Sequence, residues 1–214
     1  MKLLAIADLH GDYTHVNAIR ERAGSVDAIL IAGDLTDFGP DEKAHELFDM
    51  LGSDVPVLAI PGNCDYPGIL KVIEKAGAIN MHNRTWKIDN TEFIGFGGSN
   101  PTPFGTPFEI SEKKILENVG QLISRAKGER LVLLSHAPPK DTLDRVPSGA
   151  NAGSTALADR KGTFDLVVCG HIHESRGVMS NGNGSVIVNP GPAFKGCAAL
   201  IDLDSEITAS LIQV

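Results

Sequence analysis

Short apolar runs, each ending on a carboxylate, an amide or an imidazole, recur along this chain and restrict its fold more than any other feature. Leu3 to Ala7 stops at Asp8-Leu9-His10-Gly11-Asp12, Ala28 to Ala32 at Gly33-Asp34, and Val55 to Ile60 at Pro61-Gly62-Asn63-Cys64-Asp65. Each run has the length of a buried strand, and helical spacing follows each one. Residues 13 to 23 place Val16, Ile19 and Ala23 on one face, a helix near 41 to 51 stands behind Pro40, and another is expected near 67 to 76. Three strand-loop-helix units in a row imply a parallel sheet with right-handed crossovers. Such sheets bind ligands beyond the carboxyl ends of their strands.

From about residue 84 the strands shorten. Thr85 to Ile88 and Glu92 to Phe96 lead into a Gly/Pro/Thr-rich loop over Gly97 to Pro107. A helix opens at Ser111, an incomplete N-cap signal, and carries Ile115, Leu116, Val119, Leu122 and Ile123. Arg130 to Leu134 is another buried run and ends at Ser135-His136-Ala137-Pro138-Pro139. A loop over 140 to 153, a short helix near 154 to 160 and a strand from Asp165 to Cys169, ending at Gly170-His171-Ile172-His173, come next. Runs at 185 to 189, 197 to 203 and 207 to 214 read as an antiparallel meander. The expected architecture is two packed sheets flanked by helices, in a single domain over residues 1–214.

Composition narrows the partners. With 27 acidic against 19 basic residues the formal charge is -8, which argues against bulk nucleic acid, whose binding needs a basic face. No stretch approaches the roughly 18 apolar residues of a membrane helix, so no membrane partner is expected. Asp8 interrupts the opening run, which is too short for a signal peptide. Cys64, Cys169 and Cys197 are odd in number and form no C-x-x-C pair, which suits a reducing cytoplasm. A chain of 214 residues buries roughly 70% of its unfolded surface and needs no metal to fold, so a bound metal is free to be functional. A homo-oligomer is compatible with the sequence.

At the strand ends stand Asp8 and His10, Asp34 and Asp37, Asn63 and Asp65, His136, and His171 and His173. Five strands deliver oxygen or imidazole donors to one edge. A buried charge without a partner costs several kcal/mol, so these groups need hydrogen bonds or a metal. Carboxylate, imidazole and one amide oxygen suit Mn, Fe, Zn, Ni or Co. Two such ions about 3.5–4 Å apart clamp a phosphoryl group, acidify a water and stabilise the entering and leaving oxygens of phosphoester hydrolysis. They would bring +4 against -2 from Asp8 and Asp34, leaving the site at about +2 and the chain at about -4. An acidic surface excludes polyanions while the mouth of the site attracts a small one.

Asp8-x-His10, Gly33-Asp34-x-x-Asp37-x-Gly39, Gly62-Asn63-x-Asp65, His136 at a strand end and Gly170-His171-x-His173 together resemble the five-motif signature of calcineurin-like metallophosphoesterases, in the family's order. The resemblance implies a four-layer α/β/β/α sandwich of two mixed sheets flanked by helices, with the metal site at the carboxyl ends of the strands. It implies one ion held by Asp8, His10, Asp34 and His173, and a second held by Asp34, Asn63, His136 and His171, with Asp34 bridging. Asp34, Asn63 and His136 are expected to be catalytic as well, and manganese is the favoured metal. The implied reaction is attack of a dimetal-bridged hydroxide on a small phosphate ester.

Two positions depart from the family's commonest pattern. Cys64 stands where many members have a His that is thought to stabilise the transition state or protonate the leaving group. Small prokaryotic-type members that act on phosphodiesters share this Cys, and so does a scaffold protein considered non-catalytic. A phosphodiester is therefore slightly favoured as substrate, and a weak or inactive binding protein retaining the fold is the alternative. Phe38 follows Asp37 where protein phosphatases carry an Arg, which disfavours that activity. Asp37 and Asp65 either orient metal ligands or cap the next helices. The loop over Gly97 to Thr106, Asn100 within it, either lines the substrate cleft or is plain surface. His82 either substitutes for the missing acid or lies on the surface, the favoured reading, and His15 and His45 are expected to be solvated.

Overall fold

Apolar residues on both sides of a strand require cover on both faces, and the central strands here have it. In a computed structural model that describes residues 1–181 and 184–214, β1 (Lys2–Ile6) and β2 (Ala28–Ala32) pair in parallel with Leu3 opposite Ala28. Leu4, Ile6, Ile29 and Ile31 point into a core shared with α1 (Val16–Ala23), α2 (Ala44–Leu51) and α3 (Ile69–Lys75). Leu3, Ala5, Leu30 and Ala32 point the other way, into a core between two sheets. This two-sided burial explains why the runs are continuous rather than alternating.

Among the described residues the first sheet has the order β12-β11-β1-β2-β3-β4, adding β3 (Val57–Ile60), β4 (Ile79–Asn80), β11 (Cys197–Leu203) and β12 (Ile207–Gln213). The second has the order β5-β6-β7-β8-β10-β9, from β5 (Arg84–Ile88), β6 (Thr91–Phe96), β7 (Arg130–Ser135), β8 (Leu166–Val168), β9 (Gly177–Asn181) and β10 (Ser185–Asn189). Both are mixed: β1, β2, β3 and β4 run parallel, with β11 antiparallel to β1 and β12 antiparallel to β11, and β6, β7, β8 and β10 run parallel, with β5 and β9 antiparallel at the edges. α4 (Glu112–Arg125) and α5 (Thr155–Ala158) cover the outer face of the second sheet, over Ile94, Phe96, Leu133 and Val167. The result is the expected four-layer α/β/β/α sandwich.

Ser111 does cap α4, its Oγ accepting from the Lys114 N–H at 3.5 Å, and Ser154 caps α5 in the same way at 3.2 Å from Leu157. Several expected bounds shorten. Residues before Val16 stay out of α1 because Asp12 Oδ1 accepts from both the N–H and the hydroxyl of Thr14, closing a local turn. The helix expected over 41 to 51 opens with a 3-10 turn at Asp41–Lys43. The terminal meander is corrected. β11 and β12 do form an antiparallel hairpin, but β10 belongs to the other sheet, parallel to β8 and antiparallel to β9, a strand that the sequence pattern did not show. Ile187 and Val188 are fully buried there, and the Asn189-Pro190-Gly191-Pro192 segment carries the chain from one sheet to the other.

Phe93 is wholly buried between the sheets. Phe93→Ala is expected to destabilise the fold by about 3–5 kcal/mol, read from the midpoint of urea unfolding.

Candidate metal centre

Every donor named from the sequence lies past the carboxyl end of a parallel strand: Asp8 and His10 after β1, Asp34 after β2, Asn63 after β3, His136 after β7, and His171 and His173 after β8. Asp8, His10, Asp34 and His171 have φ of 52°, 47°, 50° and 69°, a left-handed conformation that costs a non-glycine residue about 1–2 kcal/mol. The loops compensate through backbone bonds: Asp8 N–H donates to Gly33, and Leu9 and His10 N–H both donate to the Asp34 carbonyl. Gly62 passes so close to Asp34 that a Cβ there would overlap its carboxylate, and at Gly33 a Cβ would strike the His136 ring.

Asp34 lies at the centre. Its Oδ1 accepts from the Cys64 N–H at 2.8 Å, which leaves Oδ2 facing His10 Nε2 at 3.5 Å and His136 Nε2 at 3.4 Å. His136 Nδ1 donates to the Ala32 carbonyl at 2.7 Å, so Nε2 turns inward, 2.9 Å from Asn63 Oδ1. His10 Nε2 and His173 Nε2 approach to 3.3 Å, and His173 Nε2 is 3.7 Å from Asp8 Oδ1. Asp8 in turn accepts from the His171 N–H at 3.0 and 3.1 Å, and the His171 ring stands 5.0 Å from that of His136, centroid to centroid.

Imidazole nitrogens and carboxylate or amide oxygens thus converge on one another, offering more lone pairs than the imidazole N–H groups can satisfy. A cation, a proton or a metal, satisfies the remaining lone pairs of such a cluster. Atoms coordinated to one ion at about 2.0–2.2 Å stand roughly 3–3.5 Å apart, close to the spacings found. The donor atoms of Asp8, His10 and His173 lie within 4.8 Å of one another, as do those of Asp8, Asp34 and His136, and those of His10, Asp34 and Cys64. The residues therefore fit metal ions. Burial opposes the charge on Asp34, but His136, His10 and the Cys64 N–H outweigh it and hold the carboxyl below its ordinary range. Burial likewise opposes protonation of His136, and Asp34 overrides it, raising the ring to about 9. His171 is pushed down to about 4 by burial and by the charge of His136, and is neutral.

The residues left open divide clearly. Asp65 caps no helix. Fully buried, it accepts at Oδ2 from Leu35 N–H (3.0 Å) and Gly62 N–H (2.8 Å), and at Oδ1 from the N–H and hydroxyl of Thr36 (both 2.8 Å). It clamps the loop that carries Asp34 to the loop that carries Asn63. Asp37 Oδ1 stands 3.7 Å from His10 Nδ1, on the outer side of that ring, with its side chain 60% exposed. Burial and then the Asp34 charge push the Cys64 thiol up, so it is not an acidic group. His82 is not the surface residue expected: half-buried against Phe96 and Phe108, its Nδ1 accepts from Gly97 N–H at 3.1 Å, and burial with Arg84 pushes it down to about 4. A strand-end N–H needed an acceptor, and His82 supplies it. His15 and His45 are half-buried rather than solvated, because both lie beside the inward faces of their helices.

The loop after β6 reaches the site. Thr106 Oγ1 accepts from Asn63 Nδ2 at 3.1 Å, and Phe108 N–H donates to the Asn63 carbonyl at 3.1 Å. Asn100 ties this loop to the one after β7 by donating to Ala152 at 3.2 Å. Sequence reasoning passed over Phe194, which stands edge-on to both His10 and His173 at 5.8 and 5.6 Å between centroids. Its only signal is its place behind the Pro-Gly-Pro turn. Lys195, exposed, sets its Nζ over the Phe194 ring at 5.5 Å.

Residues 1–175 match the family of calcineurin-like phosphoesterases. An uncharacterized protein of Methanocaldococcus jannaschii is 35% identical over 199 residues, covering 90% of this chain and 88% of that one. The TT1561 protein of Thermus thermophilus has a similar fold, with a TM-score of 0.78 at 18% identity over 98% of this chain and 97% of its own. A further crystal structure superposes with a TM-score of 0.83 at 20% identity, over 99% and 98% of the two chains. The chain belongs to the calcineurin-like phosphoesterases, a family of hydrolases that act on phosphate esters with divalent metal ions. Among the described residues no helix is long and apolar enough to cross a membrane.

Asp65→Ala strands three backbone N–H groups in the interior and is expected to cost on the order of 3 kcal/mol or more. Asp37→Ala, on an exposed side chain, is expected to stay within about 0.5 kcal/mol of wild type. Chemical denaturation of the two metal-free variants side by side checks the contrast.

Proposed function

We propose that this protein hydrolyses a small phosphate ester, a phosphodiester in preference to a monoester, with two divalent transition-metal ions of which manganese is favoured. Asp8, His10, Asp34 and His173 would hold one ion, and Asp34, Asn63, His136 and His171 the other. The observation that carries this reading is Asp34 Oδ2, set at nearly equal distance from His10 Nε2 and His136 Nε2, 3.5 and 3.4 Å, while its partner oxygen is taken by a backbone N–H. An oxygen so placed supports a bridging role between two ions, one beside each imidazole. When bound, the ions would acidify a water and draw charge from the phosphoryl oxygens.

The chain's own groups prepare the site for that chemistry. The Ala32 carbonyl accepts from His136 Nδ1, so that Nε2 is the nitrogen that would turn a lone pair inward once an ion displaces its proton. The His171 N–H holds Asp8 by both oxygens. Phe194 stands edge-on to the His10 and His173 rings, where it would offer an apolar face to the organic part of an ester. Cys64 replaces the His common in the family, and its thiol is a poor proton donor at neutral pH. A leaving group that needs little protonation is favoured, hence the diester. Residues 1–214 are taken to act as one unit, and the buried, unpaired state of all three cysteines supports a cytoplasmic setting.

The test is reconstitution of chelator-stripped protein with Mn, Fe, Co, Ni or Zn, assayed on bis(p-nitrophenyl) phosphate and p-nitrophenyl phosphate. Metal-dependent turnover is expected on the diester at the higher rate. Asn63→Ala is expected to lose roughly a hundredfold or more in kcat/KM. Absence of metal-dependent turnover on both substrates overturns the reading, and a faster monoester reaction reverses the preference.

A further inference from the structure

Asn63 is the only donor of the site whose two ends are chemically different, and its amide works as a ligand only with oxygen inward. Something must decide which end faces His136. On the inward side Oδ1 lies 2.9 Å from His136 Nε2. On the outward side Nδ2 meets Thr106 Oγ1 at 3.1 Å and Cys64 Sγ at 3.5 Å. Thr106 has one hydroxyl proton, and Glu109 takes it: Oε1 accepts from Thr106 Oγ1 at 2.7 Å, from Thr106 N–H at 2.8 Å and from Thr102 Oγ1 at 2.6 Å. Burial opposes ionisation of Glu109, and these donors outweigh it, bringing the carboxyl down to about 2, so Glu109 acts only as an acceptor. With its proton committed, the Thr106 oxygen offers Asn63 nothing but lone pairs. A flipped Asn63 would set oxygen against oxygen.

We infer that Thr106, held as an acceptor by Glu109, is a positioning residue that fixes the Asn63 amide with its oxygen toward the His136 side of the site and so sets the affinity of the ion held there. The inference rests on the two-ion reading above and adds to it a residue pair from the loop after β6. The role is separable from anchoring that loop, because the Phe108 N–H to Asn63 carbonyl and Gly98 N–H to Pro61 carbonyl bonds hold it without the Thr106 hydroxyl. The Thr106-x-x-Glu109 spacing, in which a carboxylate reaches back to a hydroxyl residue's own N–H, is known from helix starts and serves here with no helix behind it.

The experiment is calorimetric titration of chelator-stripped protein with Mn2+, which reads each ion without turnover. Wild type is expected to bind two equivalents. Thr106→Val, which keeps the shape and removes the hydroxyl, is expected to weaken one of them by roughly 10–100-fold and leave the other within about threefold, while Thr106→Ser restores both. Thr106→Ala serves should Val perturb folding, and melting curves of the metal-free proteins report the fold. In an Asn63→Ala background the Thr106 substitution is expected to have no further effect on metal binding. Fewer than two equivalents on wild type overturns the two-ion reading together with this inference. Two equivalents on wild type with unchanged affinities in Thr106→Val, or a Thr106 effect that persists without the Asn63 side chain, overturns this inference alone.

Discussion

The carboxylate of Asp34, buried between two imidazoles, is the interaction on which the rest of the structure depends. A charge placed there has lost its water and survives only if the surrounding chain replaces the lost hydration. Cys64 N–H satisfies one oxygen, and His10 and His136 both face the other. Much of the local architecture follows from making room for this group. Gly33 and Gly62 leave space that a Cβ would occupy, and Asp34 itself adopts a left-handed backbone. Asp65 then locks the two loops that meet at Asp34, with four donors on one fully buried carboxylate.

Strain of this kind needs a rigid base. The three cores supply it: one under α1, α2 and α3, one between the sheets and one under α4 and α5. The two sheets contribute unequally to the chemistry. Strands β1, β2 and β3 bring the carboxylates and the amide, whereas β7 and β8 of the other sheet bring three of the four imidazoles. The site therefore forms only where the sheets face each other at their carboxyl ends, and a change in their stacking moves all the donors at once. The left-handed residues Asp8, His10, Asp34 and His171 fall on both sides of that junction.

Much of this was legible in the sequence. Buried runs and their terminal polar residues located every strand that carries a donor, because a period and a stop signal are local properties. Strand β9 and the sheet assignment of β10 were not legible. Whether Val186 pairs with Leu166 or with a neighbour along the chain depends on which edge is vacant in the folded sheet. His82 was misread for a similar reason: whether its ring is solvated depends on Phe96 and Phe108, brought to it by the turn of the chain. Phe194 carried no motif, and its importance, like that of Glu109, comes from what lies against it.

The sequence by itself determined the donor set, its order along the chain and its attachment to strand ends, since those follow from residue identity and hydrophobic period within ten or so residues. Only the tertiary structure decided the distances. His10 and His173 are 163 positions apart, and their 3.3 Å approach is fixed by how two sheets stack and cross. It also decided which of the undecided acids serves the site from within, assigning Asp65 to the loops and Asp37 to the outer side of His10. It placed the hydroxyl of Thr106 against the amide of Asn63 as well. Hydrogen-bond polarity depends on which partners converge in space, and convergence over such separations is a property of the packed chain that no local pattern encodes.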